Sequence, residues 1–204
     1  MSAGEPMVFV QARMASVRFP GKALAPLGGL PVIERVLNQV AEAVPRNRIV
    51  VCTTVEESDY SLVCFLERLG YQMYLGSSEN VVARFQGALR CYPCERFFRV
   101  CGDSPLLDPG LFARFLAVGG NPDLVTNTFP RTFPKGQSLE LIRSVPFAAL
   151  RSDLMVESER EHPTEFYYDD DSGFEIVNIE NENPMSENVA VDTIEDLRRI
   201  EELL

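Results

Sequence analysis

Several features that define common protein classes are missing from this chain of 204 residues. It has no apolar stretch close to the roughly 18 residues that a membrane helix needs, and its first residues lack the basic lead of a signal peptide. Its five cysteines are scattered and odd in number, unlike a disulfide framework. With one histidine and a single CxxC, it does not show zinc-site spacing either. We therefore expect a reduced, cytoplasmic protein with no membrane partner.

Charge is distributed unevenly along the chain. The net charge of −11 argues against sequence-independent binding of nucleic acid. Residues 1–50 nevertheless carry six basic and three acidic side chains, whereas residues 151–204 carry four basic and seventeen acidic side chains. A basic amino-terminal end on an acidic protein suits an anionic small ligand at that end.

Short apolar segments alternate with segments of helical periodicity over the first 120 residues. We predict strands over 7–12, 48–54, 72–75 and 96–101, and helices over 32–44, 58–70 and 80–91. Ser58 or Asp59 is the predicted cap of the second helix. Strands alternating with helices in this way predict an α/β fold with a doubly wound, mostly parallel sheet.

The pattern changes in the second half, where residues 128–180 are rich in loops. Strands over 139–142 and 174–179 and a helix over 144–151 predict a small antiparallel elaboration, with 174–179 pairing antiparallel with a neighbour. The acidic run 169–171 is interpreted as a solvated turn. A final helix over 193–204 would be capped by Asp192 or Thr193. We find no linker or repeat, so the prediction is one domain over 1–204.

The first strand leads into a loop, QARMASVRFPGK, that carries three cations. Arg13, Arg18 and Lys22 lie within ten positions of one another, and Lys22 is one of only two lysines in the chain. Guanidinium and ammonium groups with free backbone N–H groups on a strand-to-helix turn can hold a triphosphate. The loop is not a P-loop, because GxxxxGK[ST] is absent. The alternative is a solvated basic turn.

Two aspartates follow predicted strands and are candidate magnesium ligands. Asp103 lies in CGDSPLLDP and Asp192 in NVAVDTIEDL. Magnesium needs only one or two carboxylates together with phosphate oxygens and water. The alternatives are a turn-forming aspartate at 103 and a helix cap at 192. His162 is the only histidine, and without a GxSxG motif it does not indicate a Ser-His-Asp mechanism.

Eight segments in this order resemble the sugar-nucleotide cytidylyltransferases over almost the whole chain. They are QARMASVRFPGKALAPLGGLPVIERV, VVCTT, GSSENVVARF, RVCGDSPLLDP, DLVTN, FPKGQSLEL, REHPTEF and VDTIEDL. The likeness is greatest to the spore coat polysaccharide (SpsF-like) branch, with the enzymes that activate KDO and acylneuraminates as relatives. The resemblance implies a Rossmann-like nucleotide-diphospho-sugar transferase fold. It also implies Mg²⁺-dependent transfer of CMP from CTP to a sugar or sugar acid, with release of pyrophosphate.

The resemblance also implies roles for particular residues. The residues implied to hold the triphosphate are Arg13, Ser16, Arg18 and Lys22. Those implied to border the nucleotide are Ala12, Thr53 and Thr54, and those near the base or the sugar are Ser77, Asn80 and Arg84. Asp103 is the implied main metal ligand and Asp192 the second. Arg13, Lys22 and Asp103 would be the catalytic residues.

The chain departs from the family's pattern on the acceptor side. Gln137 and Ser138 stand where related sequences usually have an acidic residue, and the chain is shorter than the KDO and acylneuraminate enzymes. Two alternative functions follow: a nucleotidyltransferase that uses another nucleoside triphosphate, and a non-catalytic domain that binds a sugar nucleotide. A homodimer is a further expectation. Phe129, Phe133 and Phe147 would either supply an apolar patch for it or cover the edge of the sheet.

Overall fold

The computed structural model describes residues 4–169 and 173–204. The strands in this part of the chain are β1 (Met7–Gln11), β2 (Pro26–Leu27), β3 (Leu30–Pro31), β4 (Ile49–Thr54), β5 (Gln72–Gly76), β6 (Arg96–Cys101), β7 (Leu124–Thr126), β8 (Glu140–Arg143) and β9 (Ile176–Asn178). Seven of them form one sheet in the order β5-β4-β1-β6-β8-β7-β9. The remaining pair, β2 and β3, forms a small antiparallel ribbon.

Helices cover both faces of the large sheet. They are α1 (Val32–Ala43), α2 (Tyr60–Leu69), α3 (Val81–Cys91), α4 (Gly110–Leu116), α5 (Ser144–Ala148), α6 (Glu157–Glu161) and α7 (Ile194–Glu201). Buried side chains of α1, α2 and α4 pack on one face, and those of α3 and α5 pack on the other. This is the doubly wound arrangement that the alternating pattern predicts. No helix in the described residues is both long and apolar enough to cross a bilayer.

The centre of the sheet is strand β1, which pairs in parallel with β4 on one side and β6 on the other. Val8, Phe9 and Val10 are fully buried, because helices lie on both faces of this strand. Since parallel strands end at the same edge of a sheet, the residues that follow β1, β4 and β6 meet there. The cation loop follows β1 and Asp103 follows β6.

The α/β fold with a mostly parallel sheet is confirmed, but one strand runs the other way from the prediction. Strand β8 lies antiparallel between β6 and β7, as expected of the elaboration. Strand β9 pairs with β7 in parallel, with Leu124 opposite Ile176, so the antiparallel prediction for 174–179 is wrong. Of the acidic run, positions 170 and 171 lie outside the described residues.

Two of the alternatives raised by the sequence are decided by side-chain positions. The cap of α7 is Thr193, whose hydroxyl accepts a hydrogen bond from the Asp196 nitrogen, so Asp192 is not the cap. Phe133 and Phe147 are buried in the core, so they cover the sheet and do not form an exposed patch. Phe129 remains half-exposed.

Candidate active site

A cavity of about 690 Å³ opens at the carboxyl edge of β1 and β6. The candidate residues that line it are Ala12, Arg13, Ser16, Arg18, Lys22, Asp103 and Asp192. Residues from the two ends of the chain and from its middle therefore share one space. Binding at this edge of a parallel sheet is the general rule for open α/β folds.

Lys22 lies between the two candidate carboxylates. Its Nζ donates to Asp103 Oδ2 at 2.6 Å and to Asp192 Oδ1 at 3.3 Å, and it also donates to the Val191 carbonyl oxygen at 2.9 Å. The side chain of Lys22 is only 15% exposed. Because one ammonium group reaches both carboxylates, the two aspartates converge on a single point that already carries positive charge.

Asp192 is surrounded by cations. Arg18 Nη2 lies 2.8 Å from Asp192 Oδ1, which Lys22 also contacts, and Lys135 Nζ lies 2.6 Å from Asp192 Oδ2. Burial disfavours the charged form of this carboxyl group. The hydrogen bond from Lys135 and the charge of Lys22 outweigh burial and hold the pKa of Asp192 below its usual value. Asp192 is therefore an ionised carboxylate between three cations.

Two glycines allow the segments of the site to approach one another. The nitrogen of Gly102 donates to the Gln11 carbonyl oxygen at 2.8 Å, and a Cβ at 102 would lie 2.9 Å from both that oxygen and the Cβ of Ala12. At Gly136, φ is +100° and a Cβ would lie 2.6 Å from the Ala190 nitrogen. Glycine is required at both positions so that Asp103 reaches the cation loop and Lys135 reaches Asp192.

Arg13 faces the cavity from the other side of the loop. Its Nη1 donates to the Ser78 carbonyl oxygen at 3.2 Å, and its Nη2 forms an ion pair with Glu161 at 3.1 Å. Together with the contacts of Arg18 and Lys22, this pairing means that each of the three loop cations contacts a carboxylate.

Thr53 and Thr54, predicted to border the nucleotide, do not line the cavity. Both are buried, and their hydroxyls donate to Asp59 Oδ2 at 2.9 and 2.5 Å. Asp59 Oδ1 accepts from the Met14 nitrogen at 2.6 Å. Asp59 therefore fastens the cation loop to the end of β4, and its side chain makes no capping bond to α2. The two threonines thus support the loop from beneath, and their place beside the nucleotide stays a prediction.

The third predicted group, Ser77, Asn80 and Arg84, also lies outside the cavity. Asn80 caps α3 by accepting from the Ala83 nitrogen at 2.8 Å. Arg84 is 1% exposed and donates to the Ser77 carbonyl oxygen at 2.9 Å. These residues shape the segment whose Ser78 carbonyl oxygen accepts from Arg13, and their place near the base or the sugar stays a prediction.

A buried charge pair that the sequence analysis missed forms the opposite wall. Arg99 Nη1 lies 2.6 Å from Glu140 Oε2. Glu140 Oε1 accepts from Thr164 Oγ1 at 2.6 Å and from the Tyr168 hydroxyl at 3.3 Å. Burial and the nearby Glu140 charge raise the pKa of Tyr168, which therefore stays a neutral donor. Phe129 stacks on Tyr168 with ring centroids 4.4 Å apart, giving this wall an aromatic surface.

Gln137, one of the two departures from the family's pattern, has a structural role. Its Oε1 accepts from the Asp108 nitrogen at 2.8 Å and its Nε2 donates to the Leu106 carbonyl oxygen. The other departure, Ser138, accepts from Arg131 at 2.9 Å. Glu140, in the same segment, contributes an acidic side chain to the cavity lining. The substitution at 137 thus braces the loop that follows Asp103.

The donor set fits a magnesium ion. No group of three or more histidine, cysteine, aspartate or glutamate side chains with metal-binding geometry occurs in residues 4–169 and 173–204. Asp103 and Asp192 nevertheless offer hard oxygen donors around a point where Lys22 already places a positive charge. One or two carboxylates suffice for magnesium when phosphate oxygens and water complete its shell.

An α/β sheet with three loop cations opposite two carboxylates at its carboxyl edge is the arrangement expected of a nucleotidyltransferase. The family model described as cytidylyltransferase matches residues 7–203. The chain belongs to the cytidylyltransferase family.

Individual relatives agree with this family. A cytidylyltransferase from Leptospira borgpetersenii superposes with a TM-score of 0.90 at 28% identity, covering 97% of this chain and 85% of that one. The spore coat polysaccharide biosynthesis protein SpsF of Bacillus subtilis is 31% identical over 109 residues, which is 52% of this chain and 45% of SpsF. The 3-deoxy-manno-octulosonate cytidylyltransferase of Trichlorobacter lovleyi is 30% identical over 125 residues, which is 60% of this chain and 48% of that protein. The last two matches span less than half of each relative.

Proposed function

We propose that this protein transfers CMP from CTP to a sugar or sugar acid, with release of pyrophosphate. The observation that carries the proposal is the contact of Lys22 with both Asp103 and Asp192, at the mouth of a loop that also presents Arg13 and Arg18. The names of the relatives SpsF and 3-deoxy-manno-octulosonate cytidylyltransferase favour surface or spore-coat polysaccharide synthesis as the pathway. A cytoplasmic location and a homodimer stay predictions.

The reaction joins an acceptor hydroxyl to the α-phosphorus of CTP. The hydroxyl oxygen bonds to phosphorus and gives up its proton to solvent, while the bond from the α-phosphorus to the bridging oxygen of pyrophosphate breaks. Negative charge grows on the leaving pyrophosphate, next to Arg13, Arg18 and Lys22. Cations fixed in place beforehand stabilise that charge more in the transition state than in the ground state. No nucleophilic side chain is needed.

Asp103 and Asp192 would hold a Mg²⁺ ion, which would act as a Lewis acid on the phosphate oxygens. The remaining wall of the cavity suits the acceptor. Phe129 and Tyr168 offer an aromatic face, and the Arg99–Glu140 pair offers charged hydrogen-bonding groups. Sugars present both apolar C–H faces and hydroxyls, so a wall of this kind matches their chemistry.

The choice of nucleotide is tested by thermal unfolding with CTP, UTP, GTP and ATP in turn, each with Mg²⁺. Ligand that binds only the folded state raises the melting temperature by mass action. We expect CTP to give the largest shift. UTP is the matched control, because its triphosphate and ribose are identical and only the pyrimidine differs.

A larger shift in melting temperature with another nucleotide would indicate a nucleotidyltransferase that uses that nucleotide in place of CTP.

Pyrophosphate release is then measured with CTP, Mg²⁺ and a panel of sugars and sugar acids that includes 3-deoxy-manno-octulosonate. We expect release with at least one acceptor. Tight CTP binding without release across the panel would contradict the catalytic proposal and favour a sugar-nucleotide-binding role.

A further inference from the structure

Lys135, the second lysine of the chain, reaches the same carboxylate as the loop cations. Its Nζ lies 2.6 Å from Asp192 Oδ2, while Arg18 and Lys22 contact Oδ1 at 2.8 and 3.3 Å. Both oxygens of Asp192 are thus engaged by cations that line the cavity. The Lys135 side chain is 52% exposed and the Asp192 side chain 8% exposed, so a buried anion holds a cation that faces the ligand space.

The backbone fixes Lys135 in this position. Its nitrogen donates to the Glu187 carbonyl oxygen at 3.1 Å, and its carbonyl oxygen accepts from the Val189 nitrogen at 2.7 Å. The close approach at Gly136 packs the same segment against residues 189–190. Lys135 is therefore anchored to the segment that carries Asp192, unlike a lysine on a free surface loop.

A triphosphate would need the cations that Asp192 already holds. Phosphate oxygens and the carboxylate are both anions that take charge-assisted hydrogen bonds from the same donors. We propose that Lys135 is a further phosphate-binding residue of the nucleotide site, and that Asp192 competes with the triphosphate for it. The inference rests on the proposed function. A divalent cation bound to Asp192 would remove the competition in the same way as neutralising the carboxylate.

The test is calorimetric titration of CTP in the presence of EDTA, so that no metal takes part. Losing one charged competitor is worth about 1.4 kcal/mol, so Asp192→Asn should bind metal-free CTP about tenfold more tightly than the natural protein. Adding Lys135→Gln to that variant should weaken binding at least about fivefold, because one phosphate contact is lost. A gain in affinity on removal of a carboxylate cannot arise from misfolding.

Arg131→Gln in the Asp192→Asn background is the matched control. Arg131 lines the same cavity and carries the same charge, but its side chain bonds to Ser138. This control should change affinity by less than about twofold, as expected of an exposed charge screened by salt. If Lys135→Gln and Arg131→Gln have equal effects, Lys135 acts only through general charge and the proposal is overturned. Unchanged or weaker binding by a folded Asp192→Asn variant also overturns it.

Inorganic tripolyphosphate serves as a second probe, and Asp192→Ser as a second variant should Asn destabilise the fold. Tripolyphosphate has no base, so it separates this inference from the choice of nucleotide. The expected order is tighter binding by Asp192→Asn than by the natural protein, and weaker binding once Lys135→Gln is added. If tripolyphosphate shows this order while CTP does not bind, the phosphate contacts stand and the cytidine assignment fails. If CTP binds the natural protein with Mg²⁺ but neither probe follows the expected order without metal, the nucleotide assignment stands and the role of Lys135 fails.

Discussion

Asp103→Ala is expected to lower kcat by at least about 100-fold, the scale for losing one preorganised charge contact in an active site. Asp103 shares Lys22 with Asp192 and is held by the bond from the Val191 nitrogen to its carbonyl oxygen at 2.8 Å. Alanine keeps that backbone bond and removes only the carboxylate. The folded state should therefore survive while the proposed metal site loses one of its two protein ligands.

Steady-state pyrophosphate release measures this effect, and Asp108→Ala is its matched control. Asp108 lies in the same loop, but its carboxylate is exposed and accepts from the Gly110 nitrogen at 2.8 Å. The control should keep kcat within about twofold, because a surface carboxylate away from the reacting groups contributes little. A near-natural rate for Asp103→Ala would remove this carboxylate from the mechanism.

Lys22→Ala is expected to lower kcat by at least about 100-fold for a related reason, the loss of a cation beside the leaving pyrophosphate. It should also leave Asp103 and Asp192 without the cation they share. Two carboxylates without a shared cation repel each other, and an added divalent ion relieves that repulsion. Mg²⁺ alone should therefore raise the melting temperature of Lys22→Ala more than that of the natural protein.

Arg151→Ala is the control for the effect of Mg²⁺ on the melting temperature. Arg151 is exposed and pairs with Asp153, away from the cavity, so its loss should leave the response to Mg²⁺ unchanged. Equal stabilisation of Lys22→Ala and the natural protein by Mg²⁺ would show that the two carboxylates do not form a common cation site. A rate close to the natural one would exclude Lys22 from catalysis.

The parts of the fold that the sequence predicts well are those governed by local pattern. The buried run of β1 and the helical spacing of Val36, Leu37 and Val40 in α1 depend on residues close in sequence. The direction of strand β9 does not depend on residues close in sequence. It is a three-residue strand whose partner β7 lies some fifty residues earlier, so its orientation depends on how the intervening segment packs.

The convergence of Arg13, Arg18 and Lys22 with Asp103 follows from strand order, because parallel strands end at one edge. Contacts between residues that are far apart in the sequence are harder to predict from the sequence alone. Lys135 and Asp192 are 57 positions apart, and Arg99 and Glu140 are 41 apart on neighbouring antiparallel strands. The one local signal was that both Lys135 and Glu140 lie in FPKGQSLEL, a segment that the resemblance already marks.

Thr53 and Thr54 have side-chain contacts that the sequence does not indicate. The resemblance implies a place beside the nucleotide, and the structure shows both hydroxyls donating to Asp59. A buried carboxylate needs several donors, and the nearest ones are these threonines and the Met14 nitrogen. Through these contacts Asp59 joins the cation loop to the end of β4, so the two threonines help to position the loop.

The most direct test is a crystal soaked with CTP and Mn²⁺ as an anomalous scatterer in place of Mg²⁺. We expect one anomalous peak within coordination distance of Asp103 and Asp192, with the triphosphate lying along Arg13, Arg18 and Lys22. A metal peak remote from both carboxylates, or a triphosphate bound away from that loop, would contradict it.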